Sequence, residues 1–299
     1  MTEAETEQPQ PSPSAKNARW GQERRLEFID FRLLWEGRIN RGELVDFFKI
    51  SIQQASLDLA LYSAMAPGNL NYDRSEKAYF ASAAFAPVLT SRDAQVYLNQ
   101  LFGVTTDLLP NATSFLGWKP ACDVVQFPVR RLEPEVLLKI LHAVRTTEQI
   151  EVSYQSMRRP EATNRWIAPH AFAFDGSRWH TRAWCFENNE FRDFVLTRIR
   201  NVHQAKKSDI DPSTDTRWDN VATVVLRPRS DLSADQRQAV ANEFGMQDGV
   251  LRVSVREALV YYFVRQLQLD ANGHSLVRSY PIECVNLDEL MPLIKEAAR

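Results

Sequence analysis

The sequence has little that would mark a secreted, membrane-bound or catalytic protein. Its three cysteines, Cys122, Cys185 and Cys284, are odd in number, far apart and without CxxC spacing. That argues against a disulfide framework or a zinc site and favours a reducing compartment. No apolar run approaches the ~20 residues needed to span a bilayer, and no apolar signal core opens the chain. A cytoplasmic protein without a membrane partner is therefore expected. There is no GxxxxGK[ST] loop, no HExxH, no nucleophile elbow and no carboxylate cluster for a metal, so no catalytic residue, metal or cofactor is expected either. Charge of one sign is also lacking: the formal net charge of −2 gives the chain as a whole no pull toward a polyanion.

What charge there is lies unevenly. Residues 16–41 carry seven basic and four acidic side chains, residues 151–207 ten and six, and residues 208–299 ten and fourteen. Nucleic-acid contact is compatible with the first two segments only. At 299 residues and 44% hydrophobic content the chain can supply a core to two or three domains.

Residues 1–18, with Gln-Pro-Gln-Pro-Ser-Pro-Ser, lack apolar periodicity and are expected to be disordered. An amphipathic helix is predicted from Trp20 to Trp35, closed by Gly37, and a short second helix from Arg41 to Phe48. A third helix follows Ser51, a good N-cap. Ile52, Ala55, Leu59 and Tyr62 form its buried stripe, while Ser51, Gln53, Gln54 and Ser56 face outward. Short amides and hydroxyls can read base edges, which makes this the recognition half of a helix-turn-helix. Two short strands about Asp73-Arg74-Ser75-Glu76 then read as a wing, with Arg74 and Lys77 placed to meet phosphate. The recognition segment from Phe47 to Tyr62 holds one basic residue, Lys49, and one acidic, Asp58. Phosphate contact must come largely from elsewhere, and Arg24, Arg25, Arg32, Arg38 and Arg41 join Arg74 and Lys77 as the expected donors.

Residues 91–132 read as a helical linker, with Trp118, Pro120 and Phe127 in an irregular stretch. A helix over 134–147 precedes strands at 149–156, 165–174, 178–186 and 191–199, a small bent barrel. The last third alternates strand and helix, with a strand near Ser279–Val285, and reads as an α+β unit of residues 208–299. In the middle strands His180 and Arg182 share one face, and Arg192 and Arg198 share a face of the next. Unpaired buried cations are costly, so these residues are expected to converge on a groove that receives an anion, unless Asp193, Glu187 and Glu190 pair with them.

The run Arg178-Trp179-His180-Thr181-Arg182-Ala183-Trp184, followed by Arg192 to Ile199 and preceded by Ile150 and Tyr154, resembles a WYL domain. The run from Arg24 through Gly37 to Gln54-Ala55-Ser56, then Ala66-Pro67-Gly68-Asn69-Leu70, resembles one subgroup. These are the winged-helix WYL transcriptional regulators of bacterial phage-defence islands, of the BrxR and CapW type found with BREX and CBASS systems. The resemblance implies an α+β multidomain fold over roughly residues 20 to 299. Its parts are a winged helix-turn-helix (19–90), a WYL domain with an Sm- or SH3-like barrel (133–207) and a dimerising C-terminal extension. It also implies a homodimeric repressor that binds double-stranded operator DNA at an inverted repeat, relieved by a nucleotide or nucleic-acid-like ligand. Ser153, Tyr154, Trp179, His180, Arg182, Arg192 and Arg198 are the ligand contacts expected on this basis. His180 and Thr181 stand where the namesake motif has Tyr and Leu, a departure that replaces a phenol and an apolar side chain by an imidazole and a hydroxyl.

Two rival readings remain. A nucleotide- or nucleic-acid-processing enzyme would use His180 as general acid beside Arg182, but no base or nucleophile partner is evident. A protein-interaction module would need an exposed apolar face on the third helix, for which Leu57 is the one candidate.

Overall fold

The computed structural model describes residues 13–125, 128–270, 273–277 and 280–297. The expectations for residues 1–12, Phe127 and Ser279 lie outside the described residues. The chain divides into two compact units, with the boundary between Pro128 and Val129.

In the first unit, helix α1 (Pro13–Glu36) ends at Gly37, whose φ of +72° turns the chain out of the helix. A two-residue strand, β1 (Arg38–Ile39), leads into α2 (Arg41–Phe48). Asn40 and Glu43 cap α2 reciprocally: Asn40 Oδ1 accepts from the Glu43 N–H at 3.0 Å, and Glu43 Oε2 accepts from the Asn40 N–H at 2.6 Å. Lys49, left-handed at φ +54°, makes the tight turn into α3 (Ile52–Met65). The hairpin of β2 (Leu70–Asp73) and β3 (Ala78–Ala81) follows, and β1 pairs along β3 to give the order β1-β3-β2. Helix α4 (Ala94–Thr105) and the irregular segment after it complete the unit.

Its core gathers Phe28, Ile29, Phe31 and Leu33 of α1, Leu44 of α2, Ala55, Leu59 and Tyr62 of α3, and Phe115. Four points differ from the expectations of the sequence. Helix α1 begins at Pro13, so residues 13–18 are helical. Strand β1 is an addition. The segment expected to be a linker belongs to this core: Phe115 lies 5.2 Å from the Phe28 ring, and Tyr97 of α4 stacks on Phe31. Ile52, at the first helical position, is 62% exposed, and Asp58 occupies the buried stripe with Ala55, Leu59 and Tyr62.

The second unit opens with α5 (Pro134–Thr146), which lays Val136, Ile140 and Ala143 onto a five-stranded antiparallel sheet. Its strands are β4 (Glu148–Tyr154), β5 (Thr163–Phe174), β6 (Trp179–Cys185), β7 (Glu190–Val195) and β8 (Ile199–Lys207). Their order is β7-β6-β5-β4-β8. Register shifts on β4 and β5 bend the sheet, and a 3-10 turn at Leu196–Arg198 separates β7 from β8, where the sequence pattern predicts one strand over 191–199. A short helix, α6 (Thr216–Asp219), leads to β9 (Val221–Pro228), α7 (Ala234–Glu243), β10 (Leu251–Arg256), α8 (Val260–Leu267), β11 (Ile282–Cys284) and α9 (Leu287–Ala297). The sheet β10-β9-β11 carries a second core of Val224, Leu226, Val260, Val264, Ile282 and Leu290. No described helix is long and apolar enough to cross a membrane.

Candidate nucleic-acid interface and barrel pocket

The outward side of α3 begins at its N-terminus. Ser51 is exposed, but its Oγ accepts from the Gln54 N–H at 3.1 Å and serves as the cap. Gln53 is exposed and free of side-chain partners among the described residues; Gln54 is half-buried, with its amide nitrogen 3.0 Å from Asp58 Oδ1. The Ser56 hydroxyl donates to the Ile52 carbonyl at 2.9 Å and lies 3.5 Å from Arg41 Nη1. The amides on this outward face are thus those of Gln53 and Gln54, with exposed Ile52 and Leu57 beside them.

Two of the expected phosphate donors are structural. Arg25 is largely buried, and its Nε and Nη2 donate to Asp58 at 2.6 and 3.3 Å. Asp58 is fully buried on α3, and without Arg25 its charge would be uncompensated. Arg32 is 6% exposed, pairs with Glu36 at 2.5 Å and Glu43 at 3.7 Å, and packs so closely under Gly117 that a Cβ there would fall 1.1 Å from its Nη1. Arg24 is half-buried, pairs with Glu27 at 2.8 Å and covers the Phe115 ring at 4.0 Å. Arg38, Arg74 and Lys77 are exposed, as is Lys49, which is not among the phosphate donors expected from the sequence. It sits in the left-handed turn that leads into α3.

Asp30, fully buried on α1, ties α1 to α3 and to the segment that follows the wing. Its Oδ2 accepts from three consecutive backbone N–H groups, Val88 at 3.0 Å and Leu89 and Thr90 at 2.8 Å, and its Oδ1 accepts from the Tyr62 hydroxyl of α3. Burial and this hydrogen bond push the Tyr62 phenol well above its usual range. Asn69, between α3 and β2, donates to Tyr62 Oη at 3.2 Å and to the Ala86 carbonyl at 2.8 Å.

In the second unit a cavity of about 520 Å³ lies between β6, β7 and the segment that follows the five-stranded sheet. Arg182, Trp184, Glu190, Phe191, Arg192, Asp193, Asp215, Arg217 and Tyr262 are among its lining residues. Arg182 is 5% exposed and already matched: its Nε and Nη2 donate to Asp215 at 2.8 and 3.0 Å, and its Nη1 lies 3.4 Å from Asp193 Oδ1. Burial alone would lower the guanidinium's pKa, but Asp215 and Asp193 raise it above the ordinary value. Asp215 is pushed upward by burial and more than offset by hydrogen bonds from His170 and Arg182, which hold it at about 2. Three arginines thus face three acids, Glu190, Asp193 and Asp215, in the cavity wall.

Of the expected ligand contacts, only Arg182 and Arg192 reach this cavity. Arg192 is half-buried and paired with Glu190. His180 is 2% exposed and bonded through Nε2 to Asp175 at 2.9 Å; its Nδ1 is buried without a partner, and its ring sits 5.0 Å from that of Tyr262. An imidazole so buried is poorly placed as a general acid. Tyr154 is 7% exposed in the core, its hydroxyl accepting from the Val195 N–H at 3.3 Å. Ser153 pairs along β4 with Asn164 and Asn201, Trp179 lies against Phe174, and Arg198 closes the 3-10 turn; none of these three lines the cavity. The residues that sequence reasoning missed are Asp215 and Tyr262, which come from beyond the five strands and whose approach no local period announces.

Three segments match known families: residues 21–103 the BrxR transcriptional regulator winged helix-turn-helix domain, residues 135–204 the WYL domain, and residues 221–290 the BrxR transcriptional regulator C-terminal dimerization domain. The DNA-binding transcriptional repressor CapW of Escherichia coli (strain KTE188) is 40% identical over 282 residues, covering 94% of each chain. The chain belongs to the CapW family. The CapW proteins of Pseudomonas aeruginosa and Stenotrophomonas maltophilia are likewise 40% identical, over 95% and 87% of each chain. In CapW terms the first unit is the winged helix, and the second joins the WYL sheet to the dimerisation domain.

Proposed function

We propose that this chain is a transcriptional repressor that binds an inverted repeat as a homodimer, controls a phage-defence operon, and is relieved by a nucleotide or nucleic-acid-like ligand at the barrel pocket. The observation that carries the reading is the juxtaposition of α3, with Gln53 and Gln54 in its first turn, and a wing whose exposed tip holds Arg74 and Lys77. Amides on the helix supply base readout, and cations on the wing supply phosphate attraction. The family's name for residues 221–290 supports the dimer. Because the pocket wall balances its charges and Arg182 is already bonded, a ligand gains most by exchanging its own anion for an internal carboxylate. A compact ligand with one anionic group and a stacking ring suits Arg192, Phe191 and Trp184 better than a long polyanion.

The test is titration of the purified protein against DNA from its own upstream region and against scrambled DNA at moderate salt. Preference for the native sequence is expected; equal affinity for both would end the repressor reading.

A second reading has its own observation. Leu57, Leu61 and Met65, spaced four residues apart on α3, are 63%, 40% and 41% exposed, a stripe that suits an apolar protein partner. Leu61→Ser with Met65→Ser is expected to leave operator affinity intact, and a loss of repression in cells without loss of DNA binding would favour the partner.

A further inference from the structure

Helix α3 opens with Ser51-Ile52-Gln53-Gln54, the pattern of a reciprocal cap in which the first side chain accepts from the fourth residue's N–H and the fourth side chain returns to the first. In α7 the same pattern closes both ways: Ser233 Oγ accepts from the Gln236 N–H at 3.3 Å, and Gln236 Oε1 accepts from the Ser233 N–H at 2.9 Å. In α3 only the first half forms. The Gln54 side chain leaves the cap, and its Nε2 donates to Asp58 Oδ1 at 3.0 Å. Asp58 is itself fixed, fully buried and held through both oxygens by Arg25.

A carboxylate paired with arginine can only accept, so this contact decides which end of the Gln54 amide faces inward. One of the nitrogen's two N–H groups is committed, which turns that end of the amide inward. The carbonyl oxygen has no partner among the described residues and is not among the buried unpartnered atoms, so it lies open to solvent. An untethered glutamine can turn either end to a base and read a donor or an acceptor. Gln53, one position earlier, is such a residue.

We propose that Asp58 is a positioning residue for base recognition. It presents Gln54 to the major groove as a hydrogen-bond acceptor, so that this position selects bases with an exocyclic amine, adenine or cytosine, over guanine and thymine on the strand it faces. The inference rests on α3 reading DNA, as proposed above. Arg25 belongs to the same device, one step further from the base, through the bonds that stop Asp58 from turning.

The experiment is a titration of the full-length protein against its operator and every single base-pair substitution across one half-site. Wild type should show one pair at which A·T and C·G are separated from T·A and G·C by about tenfold. Gln54→Ala should flatten that pair and leave the others ordered as before. In Asp58→Asn, the new Oδ1 keeps accepting from Arg25 and its Nδ2 turns to Gln54, which must then offer its oxygen inward and its nitrogen outward. The preference at that pair should reverse toward the keto bases. A folded Asp58→Asn protein that loses affinity for all sites by one factor, with the order of preference unchanged, would overturn the proposal. So would a Gln54-dependent pair that separates A·T-type from G·C-type pairs; this outcome needs only wild type and Gln54→Ala, and it decides the matter if Asp58→Asn does not fold. A wild-type protein with no sequence preference anywhere would instead remove the DNA-reading role of α3 on which the proposal stands.

Discussion

Arginines of one charge have opposite roles in this chain, and the difference is whether a buried acid faces them. Arg25 neutralises Asp58 inside the first unit, whereas Arg74 stands exposed at the tip of the wing. Removing one partner of a buried pair leaves an uncompensated charge, typically about 3 to 5 kcal/mol. Arg25→Ala is therefore expected to lower the melting temperature clearly, while Arg74→Ala should stay within about 0.5 kcal/mol of wild type and weaken DNA binding instead. Arg182 falls in the first class: Arg182→Ala should destabilise the second unit, and Arg192→Ala is the cleaner probe of ligand response, with operator affinity retained. Asp175 and Asp215 give the molecule an acid limit. Each is held at about 2, below the ordinary 3.8, Asp175 against the upward push of burial by hydrogen bonds from His180 and the Ser177 and Arg178 backbone. Their contributions, about 2 kcal/mol each, are present in full above roughly pH 4 and disappear as pH falls toward 2. Acid unfolding of the Asp215→Asn variant should accordingly depend less steeply on pH across that window.

At the scale of elements, the proposed function divides DNA binding between α3 and the wing. Gln53→Ala should change the preference at one base pair and leave the salt dependence alone. Arg74→Ala with Lys77→Ala should reduce affinity for all sequences and lower the salt slope by about one for each phosphate no longer neutralised. These elements were legible because their signals are local: a cap followed by apolar residues at 3.6 spacing, then two short strands about a polar turn. Strand β1 was not, since two residues carry no period. Phe115 was not, because one apolar residue in an irregular stretch says nothing of the Phe28 ring it meets. The site was less legible than the fold for the same reason. Glu36 lies four residues from Arg32, within reach of sequence reasoning, but Asp58 lies 33 from Arg25, and Asp215 lies 33 from Arg182. One clue was available: Asp58 falls between Ala55 and Leu59 on the apolar stripe, and a buried acid needs a cation.

For the whole molecule, the proposed operator reading makes the dimer part of recognition. The segment from Phe47 to Tyr62 has almost no net charge, so on that proposal useful affinity is expected to require two copies held at a fixed separation. Inserting about 5 base pairs between half-sites turns one of them to the opposite side of the duplex, and affinity should fall toward that of a single half-site; about 10 should recover part of it. Insensitivity to spacing in such a series would mean that the two readers act independently. The Asp30 carboxylate bears on this economy of motion. By gripping both Tyr62 of α3 and the Val88–Thr90 backbone beyond the wing, it fixes α3 and the segment that leaves the wing on α1 before any DNA arrives. The entropy of aligning them is lost once, during folding, and not again at each encounter with an operator. An Asp30→Ala protein that still folds is expected to hold α3 and residues 88–90 less firmly on α1, read as a lower melting temperature and faster amide exchange in both segments.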